Sequence, residues 1–467
     1  MKEESLLKLC AEIEKHNHID PVDTVRFGVK RGLRNPDGTG VMAGLTKICE
    51  VEGYYVKDGE RVPQEGRLVY RGIDVRDVVA GCHTEGRFGF EEVVWLLLMG
   101  SLPTEAQLKS FQTMLTEVRA LPDDFVEDMI LKAPSPNIMN KMARCVLALY
   151  SYDKNPDNTD LPNVLRQCIQ LIAQLPAIMA YAYQVKRRYY YKQSMYINPT
   201  ETSQSIAQTI LRSLRADGQA SDEEARLLDL CLILHAEHGG GNNSTFATRV
   251  LTSSGTDTYS AIAAGIGSLK GPKHGGANIK VSDMMKYLRK AVPDPNNEGQ
   301  MLDALCKLLR REDGDRSGLI YGMGHAVYTL SDPRAKLIRE NIAAFPRIAE
   351  PKFAHDFALL RAVERLTPQA FIKVKGEKKK VCANVDLYSG LAYKMLGIPE
   401  DLYTPLFTVA RMPGWSAHRI EELLTCGRII RPAYKSVSNP HNYHLISQRL
   451  ENLPAQDTEY VPAEERI

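Results

Sequence analysis

The chain has 467 residues, 44% of them hydrophobic, and its 59 Lys and Arg against 57 Asp and Glu give a formal charge of +2. That length can bury a substantial core and allows two or more domains, so a globular protein of enzyme size is expected. Near-neutrality excludes an overall field for nucleic acid or an anionic membrane, and any basic site must be local.

The first twenty residues mix acidic and basic side chains at helical spacing and carry neither a signal-peptide core nor an Arg-rich transit composition. No run approaches the roughly 20 apolar residues of a membrane span. The nine cysteines are scattered, odd in number and never paired as C-x-x-C, which fits reduced thiols. These readings predict a soluble, cytoplasmic protein with no membrane partner.

Short apolar runs on either side of Asp58-Gly59 predict a small β-hairpin. From Phe88 the pattern turns helical: FEEVVWLLLMGSLP ends at a Gly and a Pro, and Thr104-Glu105 opens the next segment with a capping pattern. Apolar residues at three- and four-residue spacing predict helices at 123–133, 137–152, 161–187, 200–216 and 221–237. Others are predicted at 256–269, 275–292, 298–312, 333–344, 351–366, 386–396 and 415–425. The expected fold class is therefore all-α, with a minor β element near the N-terminus.

Residues 235–278 hold His235, His238 and His274 between two glycine clusters. Small residues from Ala261 to Gly267 suit close helix packing, Gly271-Pro272 stops that helix, and His274 is expected at the N-terminus of the next. There the positive end of the helix would keep the imidazole neutral, with an N–H suited to a developing enolate. A histidine among glycines can equally cap a turn. His235 and His238 share a helix face at their spacing, but HAEHG lacks the general-base glutamate of zinc hydrolases, so no metal site is expected. No G-x-S-x-G elbow occurs either.

Further along, His325 follows a Gly-x-Gly, and Arg334 stands at a helix start after Asp332-Pro333. Asn384 is a predicted N-cap with Asp386 in the first turn, which can also be an ordinary helix-start acid. Arg411 and Arg431 are flanked by apolar residues and prolines, and buried arginines need carboxylate or phosphate partners. A salt bridge would satisfy each; together with Arg334 they would also cage a small polycarboxylate. Five lysines crowd Lys373 to Lys380, a run that is usually a solvated turn but would also suit a phosphorylated ligand. No aromatic residue interleaves them, so nucleic acid is not an expected partner.

Taken in order, EGRLVYRGIDVRDV, WLLLMGSLPT, GPKHGGAN, GMGHAVY with DPRA, NVDLYSG, VAR with GW, and RIIRP resemble the citrate synthase family, in a divergent bacterial-type branch, over most of the chain. The resemblance implies a two-domain, mostly helical homodimer: a large domain from 1–276, a small domain at 277–390 and a return to the large domain at 391–467. By the same resemblance His274 would stabilise the enol of a thioester and Asp386 would remove its methyl proton. His325 would polarise a keto acid held by His238, Arg334, Arg411 and, across the dimer, Arg431. Lys375, Lys378, Lys379 and Lys380 are candidates for coenzyme A.

The implied reaction joins acetyl-CoA and oxaloacetate through citryl-CoA, with no cofactor beyond the substrates. Glu237 and Gly239, on either side of His238, and Lys273 depart from the usual pattern and leave acyl preference open. A 2-methylcitrate synthase using propionyl-CoA, and a non-catalytic sensor of CoA or dicarboxylates, are the alternatives.

Overall fold

The computed structural model describes residues 7–8, 10–11, 13–14, 19–58, 60–198, 205–376, 380–425, 428–438, 443 and 445–448. The chain divides into two units, residues 1–44 with 431–467, and residues 45–430. In the first, Asp20 caps the short helix Pro21–Arg26 by accepting from the Val22 amide, and Arg34 bridges to Gly40. The amphipathic helix expected before it lies largely outside the described residues.

The second unit opens with the expected hairpin. Strands β1 (Cys49–Lys57) and β2 (Glu60–Tyr70) pair antiparallel from Cys49 opposite Tyr70 to Lys57 opposite Glu60, and β3 (Ile73–Asp74) adds to the far edge of β2. Among the described residues of this unit, fifteen α-helices follow. They are α1 (Val75–Thr84), α2 (Phe90–Met99), α3 (Glu105–Glu117), α4 (Ile138–Leu149), α5 (Leu161–Tyr190), α6 (Ile206–Leu214), α7 (Asp222–His235) and α8 (Asn243–Ser253). After these come α9 (Thr258–Leu269), α10 (Ala277–Ala291), α11 (Glu298–Arg310), α12 (Pro333–Ala344), α13 (Pro351–Lys375), α14 (Val385–Met395) and α15 (Tyr403–Thr425). The described residues are thus mostly helical with one small sheet, as expected.

The caps explain several starts. Thr104 accepts from the Gln107 amide while Gln107 returns its side-chain oxygen to Thr104, closing a capping box on α3. Ser221 and Glu224 do the same for α7.

Three predicted elements differ, and α8 is an addition. The segment at 123–133 is a single π-type turn, Val126–Leu131. Helix α13 continues past Pro368 to Lys375, and α15 begins at Tyr403 and runs through Pro413, where the sequence predicts a break. Nearly every side of α15 is buried, and that packing outweighs the roughly 3 kcal/mol of an interior proline. Helix α8 was not expected: its buried residues are Ser244, Thr245, Thr248, Arg249 and Thr252, so no hydrophobic period marks it.

Two long helices form the centre. By length and composition α5 could cross a membrane, but 89% of its most apolar window is buried inside the protein. Helix α15 buries Arg411, Trp415 and Arg419 completely, and Trp415 donates from Nε1 to the Ser244 hydroxyl at 3.2 Å. Trp415 is the largest fully buried side chain. Trp415→Ala is therefore expected to cost about 3–5 kcal/mol, read as a lower denaturation midpoint.

Candidate active site

Six of the expected site residues converge where α7, α12, α14 and α15 meet the loops before α10 and α12. His238 lies past the end of α7, so His235 and His238 do not share a helix face as their spacing suggested. His235 Nδ1 lies 2.7 Å from the Cys231 carbonyl, and its ring packs edge-on against Phe407, with centroids 4.6 Å apart. The His238 ring instead faces His325 and Tyr328, at 5.0 and 5.5 Å between centroids.

His325 is held on two sides. Its Nδ1 accepts from the amides of Val327 at 3.0 Å and Tyr328 at 3.1 Å, and the Tyr328 ring stacks on it at 4.6 Å. In the neutral ring the proton therefore sits on Nε2. The Gly322–Gly324 loop that carries His325 is tied to the segment before α14. Gly324 donates to the Cys382 carbonyl at 2.7 Å, Asn384 N–H to the Gly322 carbonyl at 2.9 Å, and Asn384 Nδ2 to the Gly324 carbonyl at 2.9 Å. Gly322 needs its left-handed φ of +80°, and a side chain there would also press on Leu387.

Asn384 caps α14 as expected, accepting from the Asp386 amide at 3.0 Å. Asp386 is half-buried, and desolvation of its carboxyl raises its pKa to about 6. Arg334 and Arg411 pull it down and Asp332 pushes it up. The sequence left burial and the arginines in balance; burial wins.

His274 does not sit in the first turn of α10. The cap is Gly276, two residues on. Its pKa is nonetheless lowered to about 4, first by burial and then by the charge of Arg411. The neutral imidazole thus owes its state to burial, where the sequence had invoked the helix dipole. Nε2 lies 3.0 Å from the Ser244 hydroxyl, which also receives Trp415 and has Asn242 Oδ1 in reach at 2.9 Å.

Arg334 makes the routine salt bridge, bidentate to Asp332 at 3.0 and 2.7 Å. Arg411 does not. Its Nε donates to the His235 carbonyl at 2.6 Å, and its guanidinium lies 4.7 Å from the centroid of the Phe407 ring. Both Nη atoms of Arg411, and Nε2 of His238, are buried without a hydrogen-bond partner. Burial together with Arg334, His325 and Arg411 also keeps His238 far below the usual histidine range. Three orphaned nitrogens beside Arg334 make a place for carboxylate and carbonyl oxygens.

Arg431 is exposed and belongs to the terminal unit. Lys375 ends α13 with its ammonium 5.3 Å from the Phe371 ring, and Lys380 is exposed. Lys378 and Lys379 lie outside the described residues. Sequence reasoning missed His418 and Ser244. His418 follows Arg411 by seven residues, two turns along the same face of α15, and that spacing was its only signal.

The family profile described as citrate synthase, C-terminal domain, matches residues 35–433. The chain belongs to the citrate synthase family. It is accordingly an acyltransferase. The citrate synthase of Haloferax volcanii is 33% identical over 410 residues, covering 86% of this chain and 94% of that protein. The 2-methylcitrate synthase 1 of Corynebacterium glutamicum is 32% identical over 417 residues, covering 88% and 96%. Among solved structures, the citrate synthase of Pyrobaculum aerophilum superposes with a TM-score of 0.70 at 28% identity, covering 87% of this chain and 93% of that one.

Within this citrate synthase fold a carboxyl raised by desolvation and a neutral imidazole both feel the charge of Arg411, and the imidazole's state is directly measurable. Titrating the ring of His274 by NMR is expected to give a midpoint near pH 4. A midpoint at the ordinary 6 to 7 would mean the ring is solvated.

Proposed function

We propose that the protein is a citrate synthase, condensing acetyl-CoA with oxaloacetate and water to give citrate and coenzyme A. The observation that carries this reading is the set of orphaned donors, His238 Nε2 with Arg411 Nη1 and Nη2, buried beside Arg334, Asp386 and His274. Such donors suit the carboxylates and ketone of a small keto acid.

A thioester α-proton is too weakly acidic for a carboxylate to take unaided. In the proposed reaction Asp386 removes it while His274 donates a hydrogen bond to the thioester oxygen as charge develops there. Ser244, whose hydroxyl lies 3.0 Å from His274 Nε2, holds the ring in place. The enol carbon then attacks the ketone of oxaloacetate, polarised by the Nε2 proton of His325 and gripped by Arg334, Arg411 and His238. Hydrolysis of citryl-CoA releases the products.

The reading extends to a homodimer in the cytoplasm, with Arg431 reaching the partner's site. Residues 277–390 act as a small domain that closes on the substrates, keeping water from acetyl-CoA. The lysines from Lys375 to Lys380 attract coenzyme A phosphates.

Asp386→Gly is expected to lower turnover at least about 100-fold while oxaloacetate still binds; undiminished turnover would refute the assignment of the base. Because the base must be ionised, the rate of the intact enzyme is expected to fall as the pH drops below about 6. The relatives named 2-methylcitrate synthase favour one competing substrate. Thiol release with acetyl-CoA is expected to exceed that with propionyl-CoA, and the reverse order would make this a 2-methylcitrate synthase.

A further inference from the structure

Behind the orphaned donors runs a line of buried polar contacts with no part in the proposed chemistry. Glu237 is fully buried; its Oε1 accepts from the Gly239 amide at 2.5 Å and lies 3.1 Å from His418 Nε2. On the other side of the ring, Arg249 Nε donates to His418 Nδ1 at 3.0 Å. A neutral ring that accepts at Nδ1 carries its proton on Nε2, aimed at Glu237. Arg249 continues the line, donating to Glu422 at 2.5 Å and pairing with Glu421, whose Oε1 accepts from the Lys47 amide at 2.7 Å.

This arrangement is built into the packing. A side chain at Gly414 would collide with Glu237 Oε2 and the Ala236 carbonyl, so glycine there is what lets the carboxylate lie against α15. Oε2 itself is buried with no hydrogen-bond partner, as are both Nη atoms of Arg411. Burial and the charges around it pull Glu237 in opposite directions, and His418 and Arg411 hold it ionised, below the usual glutamate range. Gly414 is one helical turn from Arg411 on the same side of α15, so the carboxylate packed against it lies a turn from the arginine's place on the helix, and Glu237 is the leading charge that opposes the effect of burial on Arg411.

We infer that Glu237, fixed by His418 and Arg249, is the resident counter-ion of Arg411 and weakens keto-acid binding by competing with the substrate carboxylate for that guanidinium. The inference rests on the reading of Arg411 as an oxaloacetate-binding residue. The physical reason is that a buried charge is penalised unless a charge of opposite sign compensates it. With the site empty, Glu237 fills that need. Once a substrate carboxylate reaches Arg411, the glutamate is left beside a like charge and repels it. Glu237 is then a positioning residue that exchanges substrate affinity for stability of the empty site.

The test is oxaloacetate binding by calorimetry, and thermal melting with and without oxaloacetate, for the full chain and for Glu237→Gln. Glutamine keeps an oxygen for His418 and Gly239 while removing the charge. The expected result is a dissociation constant at least threefold lower than for the intact protein, a lower melting temperature for the empty variant, and a larger rise on adding oxaloacetate. Mere structural damage would weaken binding, so equal or weaker binding by the variant overturns the inference. Should Glu237→Gln fail to fold, the double variant Glu237→Gln/Arg411→Gln decides. It is expected to fold and to melt above Arg411→Gln alone, because neither charge is then left unpaired. A double variant no more stable than that single one overturns the inference. Absence of oxaloacetate binding by the intact protein would defeat the functional reading and this inference together; binding by the intact protein with no gain in the variant defeats this one alone.

Discussion

Arg411 is sealed from water in the middle of α15, and much of the surrounding site answers to its charge. It acts on Asp386, His238, His274 and Glu237 at once. A guanidinium in that position cannot give up its proton, so its neighbours adjust instead. The imidazoles of His238 and His274 stay neutral, and Glu237 stays ionised. Asp386 is the exception, because desolvation of its carboxyl outweighs the nearby positive charge and raises its pKa to about 6.

The helices supply this arrangement from distant parts of the chain. Helix α15 brings Arg411, Trp415 and His418 along one length, Trp415 reaches Ser244 at the start of α8, and Ser244 reaches His274. The loop holding His325 is stitched by backbone hydrogen bonds to the cap of α14, so His325 and Asp386 are positioned by one unit of structure. Rigid placement matters because proton removal and charge stabilisation must coincide in the transition state.

Much of this was legible before any coordinates. Turn chemistry located the hairpin, three- and four-residue periods located most helices, and Asn384 announced both the cap of α14 and the position of Asp386. What periodicity could not reveal was a helix whose buried face is polar. Helix α8 packs Ser, Thr and Arg inward, so the only elements that would have marked it were its hydrogen-bond partners on α15 and before α10. Prolines misled for a related reason: Pro413 is a breaker in isolation, and only the packing around it keeps α15 continuous. The neutral state of His274 was anticipated from a helix end, whereas its burial and Arg411 produce it. Glu237 looked like a departure from a motif, and its partner His418 lies 181 positions away in sequence, so their meeting had no local signal.

The central claim is that one carboxylate and one uncharged imidazole address the same acyl unit while arginines hold its partner. A crystal structure with oxaloacetate and a non-reactive acetyl-CoA analogue tests it most directly. The account predicts the analogue's acyl group between Asp386 and His274, with the oxaloacetate carboxylates on Arg334 and Arg411. Asp386 and His274 facing separate cavities, with the keto acid bound elsewhere, would contradict it.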